Sequence, residues 1–350
     1  MKRVLVIVVT YNGMKWLDRC LGSVYHQGAV MGPNDGPMTA KMAQNAVMGP
    51  ASGPMTAVGV DLYVWDNDST DGSADFVAAN YPGAKLVRSA DNLGFSRPNN
   101  MGMQYAVEKG YDYVYLLNQD AWLEPGALEI LVSAAEANPE YGVLSPLQMT
   151  DGYYELDRQF AKFYHCSEGG TCPGIHGHPR PCKREGPAGE ASGRGLSEAK
   201  AIQGYVPPSE PEQVKFVMAA HWLVRVSAIK KVGLFNEDLF PLYGQDEDWC
   251  QRLDFCGLKV GVVKEARAVH DRAYREEPVE KLVLRNYYTG ALVKLVNPKI
   301  PLAAGLCYVF ALTLVKSFKY RSLLPFKYLR RIFKEMPQVH AHRGRVSARV

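Results

Sequence analysis

Residues 114–120 read VYLLNQD. The run is rich in β-branched and aromatic residues and stops abruptly on Asn118, Gln119 and Asp120. A short apolar run of this kind is expected to form a buried strand. Its end would deliver a carboxylate to the carboxyl edge of a sheet. In open α/β sheets, ligands occupy the crevice outside the carboxyl ends of the strands. An Asp there can bind a divalent cation, and the cation can bind a diphosphate. Asp is also a favoured helix cap, so the rest of the chain has to decide between the two readings.

Upstream, residues 3–9 form a continuous apolar strand, and 14–26 have helical periodicity through Trp16, Leu17, Cys20, Leu21 and Val24. A second strand, 60–65, ends at Asp66. A short helix at 73–80, a brief strand at 85–88, a helix at 99–109 and a strand at 111–117 follow. The helix at 125–137 has Pro near its first turn. Repeated βα units predict an α/β fold with a doubly wound, mostly parallel, Rossmann-like sheet. Downstream, order resumes at 214–218. A helix at 227–232 is stopped by Gly233, and a helix at 245–256 is closed by Gly257. A short strand at 259–263 leads to Ala268, Val269 and His270.

Two stretches interrupt this pattern. Residues 29–40, AVMGPNDGPMTA, and 46–57, AVMGPASGPMTA, are a duplication offset by 17 residues. Two copies are too few for a solenoid, so 28–58 is expected to be an inserted surface loop. The second stretch, 165–213, is rich in Gly, Pro and charge. It holds Cys166, Cys172, His176, His178 and Cys182, whose spacing matches no common zinc finger. A structural zinc and a loop with incidental cysteines both stay open.

The formal net charge is +4, from 40 basic and 36 acidic residues. It is unevenly placed. From Lys316 onward there are ten Lys or Arg and one acid, Glu335, which leaves the first 315 residues net negative. Residues 300–315 are apolar and flanked by Lys299 and Lys316. A spanning helix needs about 20 residues. An interfacial or re-entrant helix is therefore expected, with the basic stretch 316–334 against an anionic membrane surface. Tyr308, Phe310, Phe318, Tyr320, Phe326 and Tyr328 suit that boundary. A buried amphipathic helix with a solvated basic tail is the alternative. Nucleic acid is not expected as a partner, because the aromatic and apolar content fits lipid better. The division expected is 1–290 as the catalytic domain and 291–350 as a membrane-associating region. Seven scattered cysteines lack a secreted-scaffold spacing, so reduced thiols are expected. The start, MKRVLVIVVTYN, is too short for a signal peptide, which points to a cytoplasmic protein, peripheral at the inner face of the cell membrane.

Chemistry-bearing residues stand at the strand ends. Asp66 begins DNDSTDG, where turn chemistry suffices but a nucleobase or ribose contact is equally available. Residues 91–102, DNLGFSRPNNMG, suggest backbone packed closely around a bound group, or a helix capped by Asn99 or Asn100. The acidic run 246–248 suits a helix N-terminus without any function. Asp248 and Arg252 can pair at i, i+4 for a few tenths of a kcal/mol. A carboxylate in a crevice can instead act as a general base, typically worth about 10²–10⁴-fold in rate. His270 leaves a strand and suits either a core or a metal site.

Five segments then stand in order: VIVVTYNG, VWDNDSTDGS, DNLGFSRPNNMG, VYLLNQDAWLEPGALE and VGLFNEDLFPLYGQDEDWCQRL. Together the chain resembles a family 2 glycosyltransferase of GT-A fold, and within that family the rhamnosyltransferase-like subgroup that builds bacterial polysaccharides. The resemblance covers about residues 3–27, 59–150 and 214–272. It implies that Thr10, Tyr11 and Asn12 line the nucleotide pocket, that Asp66 contacts the base, and that Asn92, Asn100 and Asn118 border the sugar nucleotide. It implies Asp120 and His270 as ligands of Mg²⁺ or Mn²⁺, and Asp246 as the catalytic base. His221, Trp222, Asp248 and Arg252 would lie toward the acceptor. The chain departs from the family pattern in three places: Asn118 replaces an acid, Gln245 replaces Glu, and Arg97–Pro98 replaces a small pair. The implied reaction is inverting transfer of a sugar, rhamnose among the candidates, from a nucleoside-diphosphate sugar donor to a glycan or lipid-linked acceptor. The competing readings are a catalytically degenerate membrane scaffold and a sugar nucleotidyltransferase. Against the latter, VVTYNGMKW lacks a Gly-rich basic phosphate loop.

Overall fold

The computed structural model describes residues 1–25, 27, 58–151, 155–164, 210–272 and 278–349. The duplicated segment and the Cys/His cluster at 166–182 lie outside the described residues.

The first half alternates as expected: β1 (Lys2–Thr10), α1 (Met14–Tyr25), β2 (Val58–Asp66), α2 (Ser73–Asn80), β3 (Lys85–Arg88), α3 (Ser96–Glu108), β4 (Tyr113–Asn118), β5 (Ala121–Leu123), α4 (Ala127–Ala137) and β6 (Tyr141–Met149). Then come α5 (Arg158–Tyr164), β7 (Glu212–Val214), β8 (His221–Arg225), α6 (Val226–Val232), α7 (Gln245–Phe255) and β9 (Lys259–His270). A helical layer closes the chain: α8 (Val279–Val283), a π-helical turn at Leu284–Thr289, α9 (Gly290–Val296), α10 (Leu302–Tyr320) and α11 (Leu324–Ser347).

The sheet order is β3-β2-β1-β4-β8-β6-β9-β5, with β7 also on β9. The long ladders β1–β2, β1–β4 and β6–β9 are parallel. Strands buried on both faces need apolar residues throughout, not alternation, and Val4 to Val8 of β1 are all buried. Even-numbered Val4, Val6 and Val8 pack with α1 and α4, while Leu5 and Ile7 pack with Met103, Trp222 and Trp249 on the other face.

Strand β8 runs antiparallel between β4 and β6. Its first residues therefore lie beside the carboxyl end of β4, with His221 opposite Leu117. β5, antiparallel to β9, sets Ala121 opposite His270. The ends of β1, β2, β4 and β9 and the start of β8 consequently collect at one edge.

Most boundaries shift by a residue or two from the sequence expectation, and three differences have a physical reason. β9 is one strand of 12 residues, because a register shift against Pro146 and Leu147 absorbs the polar residues after Val263. α3 begins at Ser96, which places Pro98 in a first turn that needs no N–H from it. The helical layer begins at Val279, so the line drawn at 290 falls inside a continuous helical run. That layer shares a core with the loop before α7: Leu239 and Phe240 pack with Tyr287, Val293, Val309, Leu312, Ile332 and Val339.

Candidate active site

On the β1–β2 side, side chains lace the strand-end loops together. Gln119 Oε1 accepts from the Thr10 hydroxyl and the Tyr11 N–H, both at 2.8 Å. Asn12, at φ 48°, receives the Thr70 N–H on its side-chain oxygen at 2.9 Å and donates its own N–H to Ser69 Oγ at 2.9 Å. Asn tolerates this left-handed backbone better than most residues. Thr10 is opposite Asp66 in register. Asp66 is buried; Oδ1 accepts the Ser69 N–H at 3.0 Å, while Oδ2 has no partner among the described residues. A buried carboxylate oxygen without a donor is costly, and a base or ribose donor would satisfy it.

Asn67 was not singled out from the sequence, and Gln119 was given no role there, yet both fix this pocket. Asn67 Nδ2 donates to the Gly94 carbonyl at 2.7 Å, and its oxygen accepts the Leu93 N–H at 3.1 Å. Asn92 is exposed and accepts the Gly94 N–H at 3.0 Å. Gly94 has φ 76°, and a Cβ there would stand 2.7 Å from the Pro241 carbonyl oxygen. Asn100 sits inside the fold. Its amide is buried, exchanging bonds with Phe235 N–H and C=O at 2.9 and 3.0 Å and reaching Glu237 at 2.8 Å. It holds the loop before α7 and presents no free polar atom to a donor sugar.

At the β4 end, Asp120 Oδ1 stands 3.4 Å from His270 Nε2. Burial pushes the Asp120 carboxyl up, but the His270 bond and charge outweigh it and hold the group below the usual carboxylate range. His270 is buried, and its Nδ1 has no partner among the described residues. A carboxylate and an imidazole in contact fit a divalent cation that takes its remaining ligands from substrate phosphate, as Mg²⁺ commonly does. Among the described residues no group of three or more His, Cys, Asp or Glu gathers around one point. Asn118 is half-buried and gives its N–H to the Ala220 carbonyl at 3.1 Å.

His221 and Trp222, expected toward the acceptor, are both fully buried. His221 Nδ1 meets the Tyr115 hydroxyl and Nε2 the Val269 carbonyl, each at 3.0 Å. Burial, reinforced by His270, pushes its pKa down to about 3. Trp222 Nε1 donates to the Val217 carbonyl at 3.1 Å. Their apolar neighbours in sequence gave no sign that β8 is a central strand.

Asp246 opens α7 and is half-buried. Its carboxylate accepts the Glu247 N–H at 3.0 Å and the Ala219 N–H. Burial pushes its pKa up, partly offset by those bonds and by Arg272. The same Arg272 guanidinium lowers Asp120. Arg272 pairs with Asp157 at 3.1 Å. The segment 219–221 thus links the two carboxylates: Ala219 donates to Asp246, and Ala220 accepts from Asn118, two residues before Asp120. Asp120 and His270 are in contact, and Arg272, unmarked in the sequence, acts electrostatically on both Asp120 and Asp246.

Asp248 and Arg252, also expected toward the acceptor, are buried. They are 1% and 3% exposed and bond each other at 2.9 Å. Arg252 spends its remaining donors on the Val232 and Leu234 carbonyls. Neither offers a polar atom to an acceptor.

The sequence model of glycosyl transferase family 2 matches residues 5–186. The chain belongs to glycosyltransferase family 2. Within this family the chain is similar to an N-acetylglucosaminyl-diphospho-decaprenol L-rhamnosyltransferase of Mycobacterium tuberculosis, present in two strains, with 29% identity over 225 residues, covering 61% of this chain and 67% of the relative. Among solved structures, S. aureus TarS aligns at 15% identity and a TM-score of 0.49, covering 87% of this chain and 41% of TarS. This family 2 chain therefore spans under half the length of that protein. TarS 1–349 in complex with UDP-GlcNAc aligns at 16% identity and a TM-score of 0.46, covering 100% of this chain and 82% of that one.

Proposed function

We propose that the protein transfers a sugar with inversion from a nucleoside diphosphate to a hydroxyl of a lipid-linked glycan acceptor, at the cytoplasmic face of the membrane, in cell-surface polysaccharide synthesis. Rhamnose is the first sugar to test, because the similar M. tuberculosis protein is named for rhamnosyl transfer to a decaprenol-linked acceptor. The observation that supports the reading is the Asp120–His270 contact, with Arg272 acting electrostatically on both Asp120 and Asp246. Asp66 accepts a hydrogen bond from the nucleobase or ribose through its unpartnered oxygen. Asp120 and His270 hold Mg²⁺ or Mn²⁺, which supplies charge neutralisation to a departing diphosphate. Asp246 accepts the proton of the acceptor hydroxyl as that oxygen bonds the anomeric carbon and the bond to the diphosphate breaks. Its raised pKa brings it nearer the operating pH, which suits a general base.

The membrane part of the proposal rests on α10. Its inward residues, Val309 and Leu312, pack into the core shared with Leu239 and Phe240. Its outward residues are also apolar: Phe310, Leu314, Val315 and Phe318, the last 88% exposed. An exposed patch of this kind marks an interaction site. Lys319, Lys327, Arg330 and Lys334 flank it, and every one is exposed. The helix has 19 residues and a window of mean hydropathy 1.4, enough in length and composition to cross a bilayer. Crossing would strip away its inner packing, so the helix lies in the interface against anionic lipid.

The test is transfer from UDP-, dTDP- and GDP-sugars to a lipid-linked acceptor, with Asp246→Asn alongside. Transfer from one nucleotide class, lowered by about 10²–10⁴-fold in Asp246→Asn with nucleotide binding retained, is expected. Near-normal turnover in that variant overturns the base assignment. No transfer from any donor, with no thermal shift, favours a scaffold.

A further inference from the structure

We infer that His342, on the last helix of the chain, is a positioning residue for the catalytic base. The inference rests on Asp246 being that base. His342 lies on the buried stripe of α11 with Ile332, Val339 and Val346. It is the one polar side chain among these four. Packing alone would be served by an apolar residue there.

Both ring nitrogens are engaged. Nε2 lies 2.9 Å from Asp248 Oδ1, and Nδ1 lies 2.9 Å from Asn236 Nδ2. Asn236 receives the Leu239 N–H on its side-chain oxygen at 3.3 Å, which turns its amide N–H₂ toward the ring. Nδ1 must therefore accept, leaving Nε2–H to donate to Asp248. The bond network selects one tautomer.

This imidazole joins two pieces of the site machinery. Asn236 belongs to the loop between α6 and α7, and Asp248 sits in the first turn of α7, two residues after Asp246. Asp248 Oδ2 is held by Arg252. Oδ1 has His342 as its side-chain donor, so without the ring a buried carboxylate oxygen loses its partner. The turn is then gripped from one side only. Asp246, two residues earlier in the same turn, takes the Ala219 N–H instead.

The loop itself is clasped on both faces. Pro241 C=O takes N–H bonds from Phe95 and Ser96, and Ser96 Oγ bonds the Phe240 carbonyl. Gly244, at φ 88°, is packed against Phe240, Thr289 and Val293, where a Cβ would stand 2.5–3.0 Å from them. The loop that introduces the base lies between the donor-side segment and the C-terminal helices. His342 is the polar link from those helices to the base-bearing turn.

The test measures transfer kinetics and nucleotide affinity for His342→Leu and His342→Gln, each with Asp246 and with Asp246→Asn. A displacement of about 1 Å at a catalytic group can cost 10²-fold. His342→Leu is expected to lower kcat by about that factor, with donor KM and calorimetric nucleotide affinity within about twofold of wild type, because Asp248 makes no donor contact. Gln can offer an N–H to Asp248 and a carbonyl to Asn236, so His342→Gln is expected to recover most of kcat. His342→Asn is too short to reach both and gives the Leu result with a polar side chain in place. On Asp246→Asn, His342→Leu is expected to cause no further loss. Unchanged kcat in His342→Leu, or a further full loss on the Asp246→Asn background, overturns the positioning role. Near-normal turnover of Asp246→Asn alone overturns the base assignment, whatever His342 does.

Discussion

Removing the charge of Asp248 should unfold this protein more readily than removing any surface charge. Asp248→Asn keeps shape but leaves the Arg252 guanidinium, 3% exposed, without its counter-charge. Breaking a buried pair by removing one partner costs about 3–5 kcal/mol. An exposed pair such as Arg88–Asp75, at 2.8 Å with side chains 52% and 82% exposed, should cost under about 1 kcal/mol when broken. The Asp75→Asn variant is therefore the control. With a urea m-value of about 3 kcal/mol/M for a chain this size, the Asp248→Asn midpoint should fall by roughly 1–1.7 M. Trp222 and Trp249, with ring centroids 5.9 Å apart in the adjoining core, provide a fluorescence signal. A shift no larger than that of Asp75→Asn would refute the assignment of a buried, charge-compensated pair. The pH dependence has a definite sign. Burial raises the Asp248 carboxyl, but Arg252 and then His342 outweigh it and leave the group below the usual range. A depressed carboxylate contributes stability above the unfolded pKa, about 4, and loses it as pH falls through the folded value. The gap between wild type and Asp248→Asn should accordingly close below about pH 4.

Three further outcomes follow from the site and the helical layer. Burial raises the Asp246 pKa and a base works only deprotonated, so the acid limb of kcat against pH should lie above the ordinary Asp value; a limb at or below it would remove Asp246 as base. Asp120→Ala should abolish the gain in nucleotide affinity on adding Mn²⁺, measured by calorimetry, and an unchanged gain would place the cation elsewhere. The paired change Leu314→Glu and Phe318→Glu should lower flotation with anionic vesicles by about tenfold or more, since each removes apolar surface from a lipid contact and adds like charge; equal flotation would show that another surface docks.

Periodicity and turn chemistry were enough for the parallel half of the sheet. β1, β2 and β4 announce themselves as apolar runs ending on polar residues, and those ends carry Thr10, Asp66 and Asn118. The antiparallel insertion of β8 was not legible, because HWLVR has the composition of any buried strand and its direction depends on which strand it pairs with. Its place between β4 and β6 is what buries His221 and Trp222. Asp248 and Arg252 were legible as an i, i+4 pair, but their burial depends on α11, about 90 residues away in sequence, covering α7. Residues whose work is to hold backbone, such as Gln119 and Asn67, show no sign of that role even inside a recognisable segment. Their partners are set by loops meeting across more than one strand.

The lacing of the nucleotide-side loops has a thermodynamic consequence. Gln119, Asn12 and Ser73 already tie residues 10–13 to the neighbouring loops before any ligand arrives. A nucleotide entering such a cradle has little chain to freeze, so the entropic toll of association falls mainly on the ligand's own torsions. Affinity there should track the chemistry of the nucleotide far more than the plasticity of the receptor.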